Sequence, residues 1–468
     1  MRFALFLLAL AITLPASAAQ RETRIPDASL EFAETLRARA LTDDTAWKVV
    51  ESLTTEVGPR PAGSAADARA VKWAQAKFKQ LGYNVVRLEP VKIRKWVRRS
   101  ERGEVLGAHA QPLTLTALGG SPGGTVEGEV VRFADFASLE AAAEGWLAGK
   151  IAFVDYRMTP ARDGSDYRNG SQIRGRGPSA AISKGAIGFL MRSAGTDHIR
   201  RNPHTGATRF AEGLTPVPSA ALANPDADQL ARLMALGTTR VKLALDTGWD
   251  GEGMSYNVIG EIRGRSKPDE VVMIGGHLDS WDLGTGAIDD GAGIGITMAA
   301  GRLIGQLKKR PARTIRVVAF ANEEHGLDGG RTYADNQAKN IAKHALMAES
   351  DFGAGRVYAF NTSAPEYATA AEQQIADALK PLGIELTDKG GPGPDLGPIA
   401  ARGVAWASLL QDGTTYFDYH HTPDDTLDKI DPQALAQNVA AYAVFAYLAA
   451  DADGDFGSAE KVVTPPRE

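Results

Sequence analysis

The sequence predicts an α/β fold: a mixed, mostly parallel sheet flanked by helices, with a second module inserted into it. Three observations carry that prediction. From Ser255 onward, apolar strand-like segments alternate with helical ones. Between Pro112 and Trp249 the texture changes to short strands and glycine turns, such as TLTALGG, GTVEGEVVRF and GKIAFVDYR. The pattern before this stretch and the pattern that resumes at SYNVIGEIRG can share one core.

Taken in order, Met1–Ala19 has a basic start, an apolar stretch and a small-residue Ala16-Ser17-Ala18 cleavage site, the pattern of an export signal. The apolar run from Phe3 to Leu14 is shorter than the roughly 20 residues of a membrane span. The mature chain is therefore expected without a span, in a periplasm or outside the cell. Residues 42–81 read as two helices, one capped around Thr42 to Asp44 and one over Ala65 to Gln80, with the turn VGPRPAGS between them. In KIRKWVRRSER, Lys92 to Arg102, apolar Ile93 and Trp96 alternate with charge, as on an exposed strand or hairpin. Inside the module, the strands IAFVDY and IGFLMRS enclose the helix-like PSAAISKGA, and the glycine-rich QIRGRGP before it reads as a loop. The expected division is a leader over 1–19, a discontinuous main domain over 20–111 and 250–456, the insert over 112–249, and a tail over 457–468.

Composition narrows the chemistry. With 468 residues, 44% of them hydrophobic, the chain can bury a large core. It has no cysteine, so any transition-metal site must use His, Asp and Glu, and no disulfide framework or thiolate nucleophile exists. A net charge of −5 lacks the dominant basic field that general nucleic-acid binding requires.

The four most apolar strands of the main domain are VVMIG (271–275), TIRVVAF (314–320), HALMAES (344–350) and VAWASLL (404–410), and each ends beside metal-ligand residue types. His277 and Asp279 follow the first, Glu323 and Glu324 the second, Asp351 the third, and His420 and His421 the fourth. In open α/β sheets, sites form beyond the carboxyl ends of the strands, so these four termini are expected to converge. The helix GAGIGITMAAGRLI begins just after Asp289-Asp290, and its N-terminal amides favour a carboxylate there. One carboxylate so placed can bridge two cations about 3.5–4 Å apart, which together polarise a carbonyl and acidify a water. Two histidines and two carboxylates then complete two zinc sites, with one acid left as proton carrier. Either member of each adjacent pair could fill those places.

GGHLDSWDLGTGAIDDGAG, NEEHG, ESDFGAG and YHHTPDDTLD, in that order, together with VGPRPAGS, RGPSAAISKGAIGFLMRS and NPHTG, resemble the M28 family of zinc exopeptidases, and most of all its carboxypeptidase Q branch. The resemblance spans nearly the whole mature chain. It implies a zinc exopeptidase fold whose insert is similar to a protease-associated domain. It also implies two Zn2+ ions: His277 and Asp351 on one, Glu324 and His421 on the other, and Asp289 between them. Glu323 matches the general acid/base and Asp279 the acid that orients His277, and the Asp289–Asp290 peptide bond is expected to be cis. His420 stands where other members carry an oxyanion-stabilising tyrosine. The implied activity is hydrolysis of dipeptides or short peptides with free termini, with aminopeptidase action on longer chains or hydrolysis of N-acyl amino acids as alternatives. A non-enzymatic receptor on this scaffold would lose ligands, and here all five stand. Arg174 and Arg176 are candidates for a substrate carboxylate. The expected partner is a short peptide and, as one option, a second copy in a homodimer, with no nucleic acid.

Overall fold

A computed structural model describes residues 22–457; the expected leader over 1–19 and all but the first residue of the expected tail lie outside the described residues. Three helices open the chain, α1 (Asp27–Ala40), α2 (Thr45–Glu56) and α3 (Ala65–Gln80). The side chain of Ser64 caps α3 by accepting the Asp67 amide. Strand β1 (Val85–Leu106) follows, then β2 (Gln111–Leu113), β3 (Leu115–Ala117), β4 (Gly124–Phe133), helix α4 (Phe136–Glu140) and β5 (Ile151–Val154). Next come α5 (Tyr167–Ser183), β6 (Gly188–Arg192), β7 (Ser219–Leu222), α6 (Asn224–Leu236), β8 (Arg240–Ile262) and β9 (Lys267–His277). The chain continues through α7 (Ala292–Gly305), β10 (Arg313–Phe320), α8 (Glu323–Gly326), α9 (Asp328–Asn336), β11 (His344–Glu349), β12 (Val357–Thr362), α10 (Thr369–Leu379) and β13 (Glu385–Leu386). It closes with α11 (Gly397–Ala400), β14 (Trp406–Gln411), α12 (Tyr416–Tyr419) and α13 (Pro432–Asp451).

The sheet is mixed. Strands β14, β11, β9 and β10 lie side by side and parallel, while β12 and β8 flank them antiparallel. Strand β10 is buried along nearly its whole length, as a central strand covered on both faces must be. Helices α2, α7 and α13 pack together on one face, and Tyr333 of α9 and Ile399 of α11 cover the other. All four strand ends expected to converge therefore open at one edge.

Strands β1 and β8 pair antiparallel from Val85↔Glu261 to Leu106↔Arg240, with register shifts between Arg94 and Trp96 and between Arg98 and Ser100. The C-terminal part of β8 joins β10 and its N-terminal part joins β4, so this ribbon carries the main sheet into the strands β4, β5, β6, β7 and β3. A boundary between Trp249 and Asp250 thus falls inside a continuous strand. The segment KIRKWVRRSER forms part of that ribbon, with Ile93 and Trp96 buried.

One local expectation changes. QIRGRGP belongs to a single helix, α5, that runs through Pro178. Its glycines serve packing: a Cβ at Gly177 would strike the Phe189 ring, and one at Gly170 would strike Met158. Close approach to the sheet outweighs the low helix propensity of glycine there. Among the described residues, no helix is long and apolar enough to cross a membrane.

Helix α7 is buried nearly all round. A Cβ at Gly293 would collide with the Ser350 carbonyl and the Asp290 carboxylate. Gly293→Ala should therefore destabilise the protein by about 1–3 kcal/mol, the usual cost of overpacking, read from its urea midpoint.

Candidate metal centre

Each strand end delivers its side chain through a short, specified turn. His277 is the last residue of β9. After β10 the chain turns through Asn322 at φ 56° and starts α8 with Glu323 and Glu324. Asp351 lies two residues past β11, and His421, itself at φ 56°, follows α12. Asp289 lies in the turn Ala287–Gly291, where it (φ −129°, ψ 92°) and Asp290 (φ −124°, ψ 39°) leave helical geometry, and the Asp289–Asp290 peptide is cis.

These turns bring the carboxylate of Asp289 to the middle of the group. Its Oδ1 is 2.9 Å from His277 Nε2, and its Oδ2 is 3.1 Å from Nε2 of both His420 and His421. His277 Nε2 is also 3.4 Å from Asp351 Oδ1, and His421 Nε2 is 2.8 Å from Glu324 Oε2. Donor atoms of His277, Asp289 and Glu324 lie within 4.8 Å of one another, as do those of His277, Asp290 and Asp351. Asp289 Oδ2 and Glu324 Oε1 are buried yet lack hydrogen-bond partners despite the nearby imidazoles. Buried oxygens that face nitrogens without hydrogen-bond geometry suit a shared cation better than each other. Among the described residues these two histidine and carboxylate clusters, which meet at His277, fit two Zn2+ ions, and the ring nitrogens of His204, His420 and His421 form a third, all-histidine group.

Neighbouring groups aim the donors. His277 Nδ1 is 3.0 Å from the Asp279 carbonyl and 3.6 Å from its carboxylate, so the N–H goes to the carbonyl and leaves Nε2 free as a ligand. The Asp279 carboxylate instead accepts the amides of Glu323 at 3.1 Å and Glu324 at 3.4 Å, which fixes the start of α8. His421 Nδ1 lies 3.1 Å from the carbonyl of Thr205, a residue of the inserted segment. Asp425 accepts the amides of Ala287 and Ile288 at 2.7 Å each and that of Asp289 at 3.2 Å. Asp290, rather than Asp289, takes the Gly293 amide at the start of α7, so the helix terminus steadies Asp290 while Asp289 is left to the centre.

Electrostatics follow from this crowding. Burial would raise the Asp289 carboxyl, but His420, His277 and His421 outweigh it and hold it well below the usual range. Burial would lower His277, yet Asp351, Asp279 and Asp289 raise it well above an ordinary imidazole. His421 is raised in the same way by Glu324 and Asp289. Burial, with Asp351, Glu324 and Asp289 close by, raises Glu323 well above a normal glutamate. His420 is different: burial and the neighbouring His421 push it down to about 3, so it stays neutral.

Sequence reasoning missed three contributors. Arg60, fully buried, spreads its guanidinium over the carbonyls of Leu278, Thr285 and Gly286, at 2.5, 2.7 and 2.9 Å, and so braces the loop between His277 and Asp289. Asp425 and His204 are the others. His204 Nε2 is 2.6 Å from His420 Nδ1 across 216 positions of sequence. The motifs VGPRPAGS, TPDD and NPHTG contain these residues, but no periodicity or spacing within them signals such contacts.

A cavity of about 630 Å³ covers the cluster, lined on one side by Asp289, Glu323, Glu324 and Asp351 and on the other by Arg174, Arg176 and Arg209. Arg174 donates to the Tyr167 hydroxyl and the Thr205 carbonyl, and its Nε is buried without a partner. Arg176 is exposed and lies 3.4 Å from Glu140. A second cavity of about 820 Å³ shares Ala207, Arg209, His325 and Gly326 with the first.

Comparison with known proteins agrees with this geometry. Residues 257–446 match the model of peptidase family M28. Carboxypeptidase Q of Mus musculus is 33% identical over 402 residues, 85% of this chain and 84% of the mouse protein. The Bos taurus protein is 34% identical over 400 residues, 84% of this chain and 83% of its own length. The crystal structure of a peptidase M28 precursor from Shewanella amazonensis superposes with a TM-score of 0.88 at 46% identity, over 94% of this chain and 100% of that one. A zinc aminopeptidase from Bacillus subtilis shares the fold, with a TM-score of 0.63 at 19% identity over 86% of this chain and 94% of its own.

Because the surrounding carboxylates raise the proton affinity of His277 and His421, a cation taking their ring nitrogens competes with protons. The raised state of His277 and His421 favours the proton below their elevated range, so zinc affinity should weaken steadily as pH falls and be lost reversibly in acid. Zinc titrations at several pH values, with proton release followed by calorimetry, check this. Asp289→Ala should lower the occupancy of both sites together, measured as zinc per chain.

Proposed function

The chain belongs to peptidase family M28 and is a zinc metallopeptidase, and from that premise we propose that it is an exopeptidase that removes an N-terminal residue from peptides, with the rest of the peptide lying along the second cavity. The observation that supports this reading is that the two cavities adjoin, with Ala207, Arg209, His325 and Gly326 in the walls of both. The first cavity of about 630 Å³ accommodates the residues at the scissile bond, and the second of about 820 Å³ gives a longer leaving portion room to extend. A second reading is dipeptide hydrolysis, as the carboxypeptidase name of the curated relatives suggests. It is favoured by Arg174 and Arg209 in the first cavity, which would hold a free carboxylate one residue from the bond.

In this reading His277 and Asp351 would hold one zinc ion, Glu324 and His421 the other, and Asp289 would serve both. When bound, the zinc pair supplies Lewis-acid polarisation of the substrate carbonyl and makes the attacking water more acidic. Glu323 lines the cavity beside the cluster and has no place in the ligand set, so it is free to move a proton. It takes one from the attacking water and returns it to the amide nitrogen as the C–N bond breaks. The elevated proton affinity that burial and neighbouring carboxylates give Glu323 suits that second step, delivery of the proton to a poor leaving group. His420, neutral and lining the cavity, would donate from Nε2 to the carbonyl oxygen as it gains negative charge.

We further propose that the inserted segment is a protease-associated module that roofs the site. It contributes Tyr167, Ser171, Arg174, Arg176 and Arg209 to the cavity wall. We also propose export from the cytoplasm, which the basic start, apolar stretch and Ala16-Ser17-Ala18 of the first nineteen residues support.

Glu323→Gln should keep two zinc ions and lower kcat by roughly 10²–10⁴, the usual worth of general acid–base catalysis. Glu324→Gln should instead lose zinc. Mass analysis of products from free dipeptides, longer peptides and their N-acetylated forms separates the readings. Stepwise loss of N-terminal residues from long peptides, abolished by acetylation, supports aminopeptidase action. Cleavage of dipeptides alone would favour the second reading.

A further inference from the structure

His420 is the one histidine of the adjacent pair left outside the ligand set, and its surroundings determine where its hydrogen sits. Its Nε2 lies 3.1 Å from Asp289 Oδ2 on the wall of the catalytic cavity, and its Nδ1 is 2.6 Å from His204 Nε2. Both rings are buried. One hydrogen lies between those two nitrogens, so two arrangements exist.

In the first, His204 donates Nε2–H and His420 carries its own hydrogen on Nε2. His204 Nδ1, which has no partner, is then a bare acceptor. His420 Nε2–H then points toward the Asp289 carboxylate, 3.1 Å away. In the second, His420 donates Nδ1–H, and its Nε2 lone pair faces a carboxylate oxygen 3.1 Å away. His204 Nδ1 would then carry a buried N–H with no acceptor. That arrangement strands a donor and opposes two acceptors, whereas the first strands one acceptor. Each unsatisfied buried group is destabilising, so the first prevails.

The same contacts hold His204 still. Its amide donates to Ser193 Oγ at 2.7 Å, its ring stacks 5.3 Å from that of His421, and the next residue, Thr205, anchors to the Ala117 carbonyl at 2.7 Å. His420 in turn stacks on His421 at 3.6 Å, with the edges of Tyr167 and Phe417 against it.

We propose that His204 is a positioning residue: by donating Nε2–H to His420 Nδ1 it keeps His420 in the Nε2–H form, a fixed donor turned toward the cavity where the substrate oxygen becomes anionic. This rests on the peptidase reading for its purpose, but not for the hydrogen's location. No proton is transferred; a hydrogen bond selects a tautomer. The inserted segment thereby contributes to the reaction itself and not only to the shape of the cavity.

The test uses the zinc-loaded chain labelled with 15N-histidine, with the His420 signals identified by their loss in His420→Gln. The wild type should show the His420 hydrogen on Nε2, and His204→Ala should abolish that preference. In kinetics, His204→Ala should lower kcat by about tenfold or more, less than the 10²–10³ of losing an oxyanion donor outright. KM and two zinc ions per chain should be retained. His204→Gln, whose amide can still donate, should recover most of kcat. A wild-type hydrogen on Nδ1 overturns the proposal whatever the activity, as does loss of zinc in both variants, which would make His204 a ligand. If the chain cleaves no peptide at all, the nitrogen spectrum still decides the tautomer, so failure of the peptidase reading stays distinguishable.

Discussion

A buried group of carboxylates gathered around one aspartate is the constraint on which the rest of the structure depends. Asp289, Glu324 and Asp351 meet at the ends of parallel strands, with Glu323, Asp279 and Asp290 close behind. Charges of one sign cannot be withdrawn from water together without compensation. Histidines supply part of it, and the proton affinities of His277 and His421 rise because they stand in for cations. Two divalent ions supply it more fully, and the same excess of positive charge then becomes available to a substrate carbonyl.

Holding carboxylates together whose mutual repulsion is relieved fully only by cations requires a scaffold that fixes them without those ions. The sheet provides the coarse placement, since four parallel strands fix where each turn begins. Fine placement comes from backbone amides and carbonyls: Asp425 grips the turn that carries Asp289, Asp279 grips the start of α8, and Arg60 spans the loop between them. Burying an arginine is tolerated because its donors find carbonyls and because Asp425 and Asp279 lie near enough to favour its charge. The inserted segment adds the last constraint, the Thr205 carbonyl behind His421.

Much of this was legible in the sequence, for a physical reason. Strands such as VVMIG and TIRVVAF are buried on both faces and therefore read as unbroken apolar runs, and ligands placed just beyond them keep a fixed offset. The helix α5 was less legible, because its glycines signal a loop when taken locally and a close helix–sheet contact only once Phe189 is in place. The ribbon of β1 and β8 hides the second junction of the two parts, since β8 runs unbroken across Trp249 and Asp250 where composition changes. Arg60, His204 and Asp425 were not legible as site residues. Their roles come from contacts across 136 to 226 positions, and nothing local distinguishes a buried arginine or histidine from an exposed one.

The central claim is that two ions sit on either side of one carboxylate. Anomalous diffraction at the zinc absorption edge from crystals of the zinc-loaded protein tests it most directly. The account predicts two peaks, one between His277 and Asp351 and one between Glu324 and His421, each touching an oxygen of Asp289. A single peak, or a second peak held by His204 and His420 away from Asp289, would contradict it.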